Sequence, residues 1–62
     1  MKDNIKKFRI QRNLTQKDIA EALGYETPSI VAMWEAGTRK VPSDKIVLLA
    51  KVLGCGIAEL FA

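Results

Sequence analysis

Glycine, proline and capping residues divide the chain into five short segments, and each segment spaces its apolar residues as a helix would. The apolar stripes are Ile5, Phe8, Ile10 and Leu14; Ile19, Ala20 and Leu23; Val31 and Trp34; Ile46, Leu49, Ala50 and Leu53; and Leu60 with Phe61. No segment sustains the period-two alternation of a half-buried strand. The spacing therefore predicts an all-α fold of five short helices. The first helix is predicted over about residues 2–13, and the last turn is expected to cover the core.

Capping residues predict where the other helices begin. Thr15, followed three residues later by Asp18, is a variant of the capping box and predicts the start of the second helix. Thr27 and Pro28 predict a third helix over about residues 28–35, with a hydroxyl cap and a proline in the first turn. Pro42 and Ser43 predict the start of the fourth helix. The predicted helix stops are Gly24, Gly37, Gly54 and Gly56.

Length and composition limit the function. The 62 residues fit a single domain, residues 1–62, with a small core. One cysteine, Cys55, and no histidine exclude an internal disulfide and leave no ligand set for zinc. We also find no nucleophile with a base, so we expect no metal, no cofactor and no enzymatic activity. Ten basic residues against seven acidic ones give a net charge of +3, which is compatible with a nucleic-acid partner but not specific for one.

Nothing in the chain predicts a membrane segment. The longest unbroken apolar run, Ile46 to Ala50, is far shorter than the roughly 20 residues of a membrane span. The first ten residues, MKDNIKKFRI, lack the apolar centre of a secretion signal. We therefore expect a cytoplasmic protein with no membrane contact.

The second and third predicted helices form a motif over about residues 15–36. TQKDIAEALG, a short turn and TPSIVAMWEAG make two short helices with a glycine-containing connection. This is the pattern of a helix-turn-helix, in which the second helix enters the DNA major groove. Because any small helical bundle contains two helices and a glycine, the motif alone is a moderate indication.

Three longer stretches make the indication specific: FRIQRNLTQKDIAEALGY, WEAGTRKVP and LAKVLGCGIAELF. Together they resemble the Cro/repressor-type (XRE-like) helix-turn-helix family of phage and bacterial transcriptional regulators, along nearly the whole chain. The resemblance implies a compact five-helix, lambda-repressor-like domain that binds double-stranded DNA as a transcriptional repressor. It also implies a place in the bacterial cytoplasm, associated with the nucleoid.

The resemblance implies phosphate contacts on both sides of the third helix. Gln16 follows the cap of the second helix, where free backbone N–H groups and the helix dipole favour a phosphate, and Lys17 lies beside it. Thr38, Arg39 and Lys40 follow the third helix, in the loop where family members contact the DNA backbone. Such contacts supply affinity without sequence information.

Arg9 and Glu35 match a largely buried ion pair of the same family. Neither charge could be buried alone without a large cost, and an arginine–carboxylate fork satisfies both. We therefore expect Arg9 and Glu35 to be structural rather than to read DNA.

The predicted recognition helix has few hydrogen-bonding side chains. The base-reading positions are Thr27, Pro28, Ser29, Ala32 and Met33. They include none of the Arg, Asn or Gln side chains that usually read guanine or adenine. Small and apolar side chains can contact thymine methyl groups, so a helix that reads methyls and shape is expected. The alternative is a protein-binding module, such as an antirepressor or repressor modulator, that uses Met33 with Ile30 and Val31 nearby.

A single helix in one groove buries little surface, so the family implies a two-fold dimer. The candidate surface for a weak homodimer is the C-terminal end, Ile57, Leu60 and Phe61, with the loop around Val41. Leu60 has a second interpretation, which is that it closes the core of the monomer. No small-molecule ligand is expected.

Overall fold

Five helices make up the fold in the computed structural model, which describes residues Met1–Ala62. They are α1 (Lys2–Gln11), α2 (Gln16–Ala22), α3 (Ser29–Ala36), α4 (Ser43–Leu53) and α5 (Ile57–Phe61). No strand is present, and the predicted all-α fold of five helices is confirmed. Helix α3 packs against both α1 and α2, and α5 packs against α1 and α4.

Helix α1 ends two residues before the predicted position. Asn13 has a φ of 58°, in the left-handed region, so the helix cannot continue through it. Asparagine is one of the residues that tolerate this conformation, because its short polar side chain can bond locally. The backbone N–H of Leu14 then donates to the carbonyl oxygen of Arg9 at 3.1 Å, and the chain turns toward α2.

Two predicted core residues, Ile10 and Phe61, lie outside the core. Ile10 is 55% exposed because it lies two residues after Phe8, about 200° around the helix from it. Phe61 is 53% exposed, whereas its neighbour Leu60 is fully buried. Adjacent residues of a helix point about 100° apart, so only one of this pair covers the core.

Every helix contributes to the core. Its members are Ile5, Ile19, Ala20, Leu23, Val31, Trp34, Leu49, Ala50, Leu53 and Leu60. Trp34 of α3 is the largest of the fully buried side chains, and with Val31 it anchors α3 to the rest of the domain. Burying a valine, leucine or isoleucine side chain contributes about 1.5–3 kcal/mol. Packing rather than helix propensity therefore stabilises these short helices.

The two helix starts predicted from capping residues have different outcomes. Helix α2 begins as predicted: Thr15 and Asp18 form a complete capping box, with N···O distances of 3.0 and 2.9 Å. The prediction that Thr27 caps the third helix is wrong. Pro28 occupies the N-cap position of α3, and no side chain caps this helix. The hydroxyl of Thr27 instead lies 2.7 Å from the hydroxyl of Ser29.

Cys55 follows the left-handed Gly54 at the end of α4 and is half-buried. Burial raises the pKa of its thiol, and the nearby carboxylate of Glu59 raises it further. A raised pKa keeps the thiol protonated and a weak nucleophile, as expected for a boundary residue.

None of the five helices combines the length and the apolar character needed to cross a membrane. No cluster of three or more His, Cys, Asp or Glu side chains that could hold a metal ion is present.

Candidate nucleic-acid interface

Helix α3 has a buried face and an accessible face. Val31 and Trp34 are buried against the core, whereas Thr27, Pro28 and Ser29 at the start of the helix are exposed. The two remaining predicted base-reading residues, Ala32 and Met33, are half-buried. They follow Ser29 at three and four residues, so all three share one side of the helix. This side is not covered by another part of the chain along the first turn.

The start of α3 retains hydrogen-bonding groups for a partner. The hydroxyls of Thr27 and Ser29 form one hydrogen bond with each other, so one of the two O–H groups remains free to donate. The backbone N–H groups of Ser29 and Ile30 have no acceptor within the chain. Unpaired N–H groups at a helix start favour an anion or another acceptor.

At the start of α2, Gln16 is held in place by Glu35. The side-chain N–H of Gln16 donates to Oε1 of Glu35 at 3.1 Å. A glutamine amide has two N–H donors, and the second has no acceptor within the chain. Lys17 is exposed, and its 3.8 Å contact with Glu21 is a loose surface pair that leaves the ammonium accessible.

Arg9 and Glu35 form a two-pronged ion pair between α1 and α3. Nε of Arg9 lies 2.7 Å from Oε2 of Glu35, and Nη2 lies 3.2 Å from Oε1. The two side chains are 14% and 6% exposed. Nη1 of Arg9 also donates to the carbonyl oxygen of Leu14 at 3.0 Å, just before α2. The pair therefore fixes the end of α3 against α1 and against the start of α2.

After α3, Gly37 and Thr38 complete the end of the helix. Gly37 has a φ of 82°, which a residue with a side chain rarely adopts. The backbone N–H and the hydroxyl of Thr38 both point to the carbonyl oxygen of Met33, at 3.0 and 3.3 Å. Since this bond uses the single hydroxyl proton, Thr38 can donate to a phosphate only by giving it up.

Arg39 and Lys40, the other predicted phosphate contacts of this loop, are exposed and form no ion pair within the chain. Lys2 of α1 joins them, because its side chain lies over Gly37: a Cβ there would be 2.8 Å from Cδ of Lys2. Three cations therefore gather at the end of α3, and the sequence pointed to two of them.

The sequence also gave no sign of the role of Lys45. Its Nζ donates to the carbonyl oxygen of Leu23 at 3.1 Å and lies 5.5 Å from the ring centre of Tyr25. Tyr25 in turn meets the Trp34 ring edge-on, with the ring centres 5.6 Å apart. These contacts fix the turn between α2 and α3. Lys45 lies about 20 residues further along the chain, so no local pattern connects it to this turn.

This arrangement of α2, a fixed turn and a partly uncovered α3 is that of a helix-turn-helix domain. The family model described as helix-turn-helix matches residues 5–60, and the chain belongs to this Cro/repressor-type family. The predicted family and lambda-repressor-like fold are confirmed. It is a family of DNA-binding transcriptional regulators and not of enzymes.

Among curated proteins, an uncharacterized HTH-type transcriptional regulator of Methanocaldococcus jannaschii is 39% identical over 62 residues. The match covers 98% of this chain and 91% of that protein. This relative comes from an archaeon, whereas the resemblance of the sequence implied a phage or bacterium. No solved structure is a significant match to the chain.

Proposed function

We propose that the chain is a sequence-specific transcriptional repressor that places α3 in the major groove of double-stranded DNA. One observation carries the proposal: the first turn of α3 is uncovered, with exposed cations and unpaired donors on both sides of it. Lys17 lies on the side of α2, and Arg39 and Lys40 lie beyond the end of α3. This distribution suits a helix that lies between two phosphate backbones.

The backbone contacts divide into two groups. Gln16 and Lys17 serve one strand through the free amide N–H, the ammonium and the unpaired backbone N–H groups of both residues. Arg39 and Lys40 serve the other side as exposed cations. Thr38 contributes only where DNA displaces its bond to the Met33 carbonyl.

Base reading rests on shape and methyl groups. Ser29 or Thr27 supplies one free hydroxyl to a base edge, and Pro28, Ala32 and Met33 supply apolar contacts for thymine methyls. The small side chains allow the helix backbone to approach the groove closely. The preferred sequence is therefore expected to be rich in thymine-containing steps.

Selection of bound duplexes from a random pool, followed by affinity measurements over a range of salt, tests the proposal. Each phosphate contact contributes about 0.9 to the slope of log K against log salt, so Lys40→Gln is expected to lower the slope by about 0.9. Lys51→Gln removes an exposed lysine of α4 that has no proposed contact and should leave the slope unchanged. Met33→Ala should relax the preference for thymine while keeping the slope.

Equal affinity of the wild-type protein for selected and scrambled duplexes would refute sequence-specific binding. A salt slope that Lys40→Gln and Lys51→Gln change equally would refute the assignment of the phosphate contacts. Repression itself is tested with a reporter gene downstream of the selected sequence, where the protein should lower expression.

We also propose a weak homodimer that forms on a palindromic site, with half-sites about 34 Å apart. Ile57 and Phe61 are exposed and Val41 is half-buried, so these residues are available for a partner copy. Leu60 is fully buried within the monomer and does not contribute. A protein that stays monomeric on a palindromic duplex would contradict this part of the proposal. We expect the protein to be located in the cytoplasm, where it would be associated with the nucleoid.

The alternative, a protein-binding module that uses the apolar face of α3, has weaker support. The exposed large apolar residues are Ile10, Val47, Leu48, Ile57 and Phe61, and none belongs to α3. Ile30 and Met33 are half-buried, and Val31 is buried. The helix therefore lacks the contiguous apolar patch that marks a protein partner surface.

A further inference from the structure

A groove of about 410 Å³ opens between the start of α1, the end of α3, α4 and α5. Small-molecule sites in proteins usually measure about 300–1,000 Å³ and are mostly apolar, with a few polar groups. The apolar lining of this groove comes from Met1, Ile5, Trp34, Val41, Ile46 and Phe61. The groove lies behind the end of α3, away from its exposed first turn.

The polar side chains that line the groove are all cationic. Lys2, Arg39 and Lys40 belong to it, and no acidic residue does. None of the three cations has an ion-pair partner within the chain. The side chain of Lys2 is exposed and lies over Gly37, another residue of the lining, so its ammonium lies at the groove.

Trp34, which lines the groove, has an unusual indole N–H. Its indole N–H is buried and has no hydrogen-bond partner, and it is the one buried side-chain polar atom of the chain in this state. Buried N–H groups are nearly always paired, because an unpaired one loses its bonds to water without replacement. Trp34 lines the groove, whereas its indole nitrogen is itself covered, so this N–H reports on an occupant of the groove without being a contact for it.

We propose that the groove binds a small amphipathic anion: a carboxylate head with an unbranched apolar tail of several carbons. The tail would lie against the apolar lining, and the carboxylate would bind Arg39, Lys40 and Lys2. This ligand satisfies both features of the groove, which are an apolar volume and an excess of positive charge. A purely polar anion would leave the apolar lining exposed, and a neutral lipid would leave the cations unpaired.

Binding of such an anion would oppose DNA binding. Arg39 and Lys40 belong to the groove and are also the proposed phosphate contacts after α3, so one pair of cations would serve both partners. This consequence rests on the proposed function, whereas the binding site itself does not. The anion would then act as an inducer that releases DNA.

Octanoate is the probe, and the protein is used without DNA. Because Trp34 is the one tryptophan, a proton–nitrogen NMR spectrum has one indole N–H signal, and this signal comes from a residue that lines the groove. We expect this signal and the backbone signals of residues 37–41 to shift together with octanoate. Since burial of a methylene is worth about a fourfold change in affinity, octanoate should bind up to about 15-fold more tightly than hexanoate. Acetate and 1-octanol, which lack the tail and the charge respectively, should bind much more weakly.

Two variants separate the groove from general attraction of anions. Arg39→Gln removes a cation of the groove and is expected to weaken octanoate binding by about twofold to fivefold. Lys51→Gln removes the same charge from an exposed site outside the groove and should change nothing. Both residues are exposed, so both variants are expected to fold.

Three results would overturn the proposal: no shift of the indole signal, octanol bound as tightly as octanoate, or equal effects of the two variants. Indole shifts that follow the protein concentration rather than the octanoate concentration would also overturn it, because they would assign the groove to a second copy of the chain. Competition is measured last, by adding octanoate to the complex with a selected duplex. Octanoate binding without release of DNA would keep the site and refute the inducer role.

Discussion

The two helices of the helix-turn-helix begin in opposite ways. At the start of α2, Thr15 and Asp18 cap each other's backbone N–H groups, and Gln16 is bonded to Glu35 of α3. At the start of α3, no side chain caps the helix, and the hydroxyls of Thr27 and Ser29 bond to each other. The first start therefore has side-chain caps from the chain itself, whereas the second has none.

This contrast separates the groups that hold the motif together from those available to a partner. Helix α3 is stabilised by its buried face and by its C-terminal end, where Glu35, Gly37 and Thr38 make their contacts. Its start therefore does not need a cap, and its donors stay free for a partner. The cap of α2 involves Thr15 and Asp18. It therefore leaves the proposed phosphate contacts of α2, Gln16 and Lys17, available to DNA.

The largest expected effect lies at the ion pair of Arg9 and Glu35, which joins α1 to α3. Glu35→Ala leaves Arg9 partly buried without its partner, which is expected to cost about 3–5 kcal/mol of the free energy of unfolding. A chain of this length has on the order of 3–9 kcal/mol in total, so this variant is expected to lose a large fraction of its stability. Urea denaturation measures the effect.

A matched control and a milder variant keep this prediction testable. Glu21→Ala removes an exposed glutamate of α2 and should cost less than about 1 kcal/mol. Glu35→Gln retains an acceptor for Arg9 and for Gln16 and should remain folded, with an intermediate loss. Equal stability of the Glu35→Ala and Glu21→Ala variants would show that the pair is not structural.

The next effect compares the two helix starts directly. Thr15→Ala removes the cap of α2 and should destabilise the domain by about 1 kcal/mol. Thr27→Ala removes a threonine near the start of α3 that caps nothing, and its cost should be below about 0.5 kcal/mol. Thermal denaturation of the two variants measures the difference. The reverse order would mean that Thr27 caps α3 in solution.

The smallest expected effect is the acid sensitivity of the α2 start. The pKa of Asp18 lies below its ordinary value of 3.8, chiefly because the backbone N–H of Thr15 donates to the carboxylate. The hydroxyl of Thr15 and the charge of Lys17 lower it further. A lowered pKa in the folded state stabilises the protein above the ordinary pKa, and this stabilisation is lost as the pH falls through the lowered value.

Asp18→Asn should therefore be less stable than the wild type near neutral pH and should approach it in strong acid. Urea midpoints measured at both pH values check this, with Asp3→Asn of α1 as the control, because Asp3 forms no side-chain hydrogen bond or ion pair within the chain. A stability difference that does not change with pH would show that the carboxylate charge has no part in the cap.

The candidate site was predictable where its parts are local or where the family pattern carries them. The residues of the exposed first turn of α3 followed from the motif, and the Arg9–Glu35 contact followed from the resemblance. The bond between Gln16 and Glu35 was missed, because the distance between two residues so far apart in the chain has no periodic signature. The engagement of Thr38 with Met33 was missed as well, since a threonine after a glycine stop can either cap the helix or face solvent.

The sequence by itself determined the five helices, the cap of α2 and the burial of Val31 and Trp34, because helix starts, stops and faces depend on residues within about four positions. Only the tertiary structure decided that Lys45 fixes the turn before α3 and that Lys2 meets Arg39 and Lys40 at one groove. These contacts join residues far apart in the chain. Their distances depend on how the helices pack, and no short stretch of sequence encodes that.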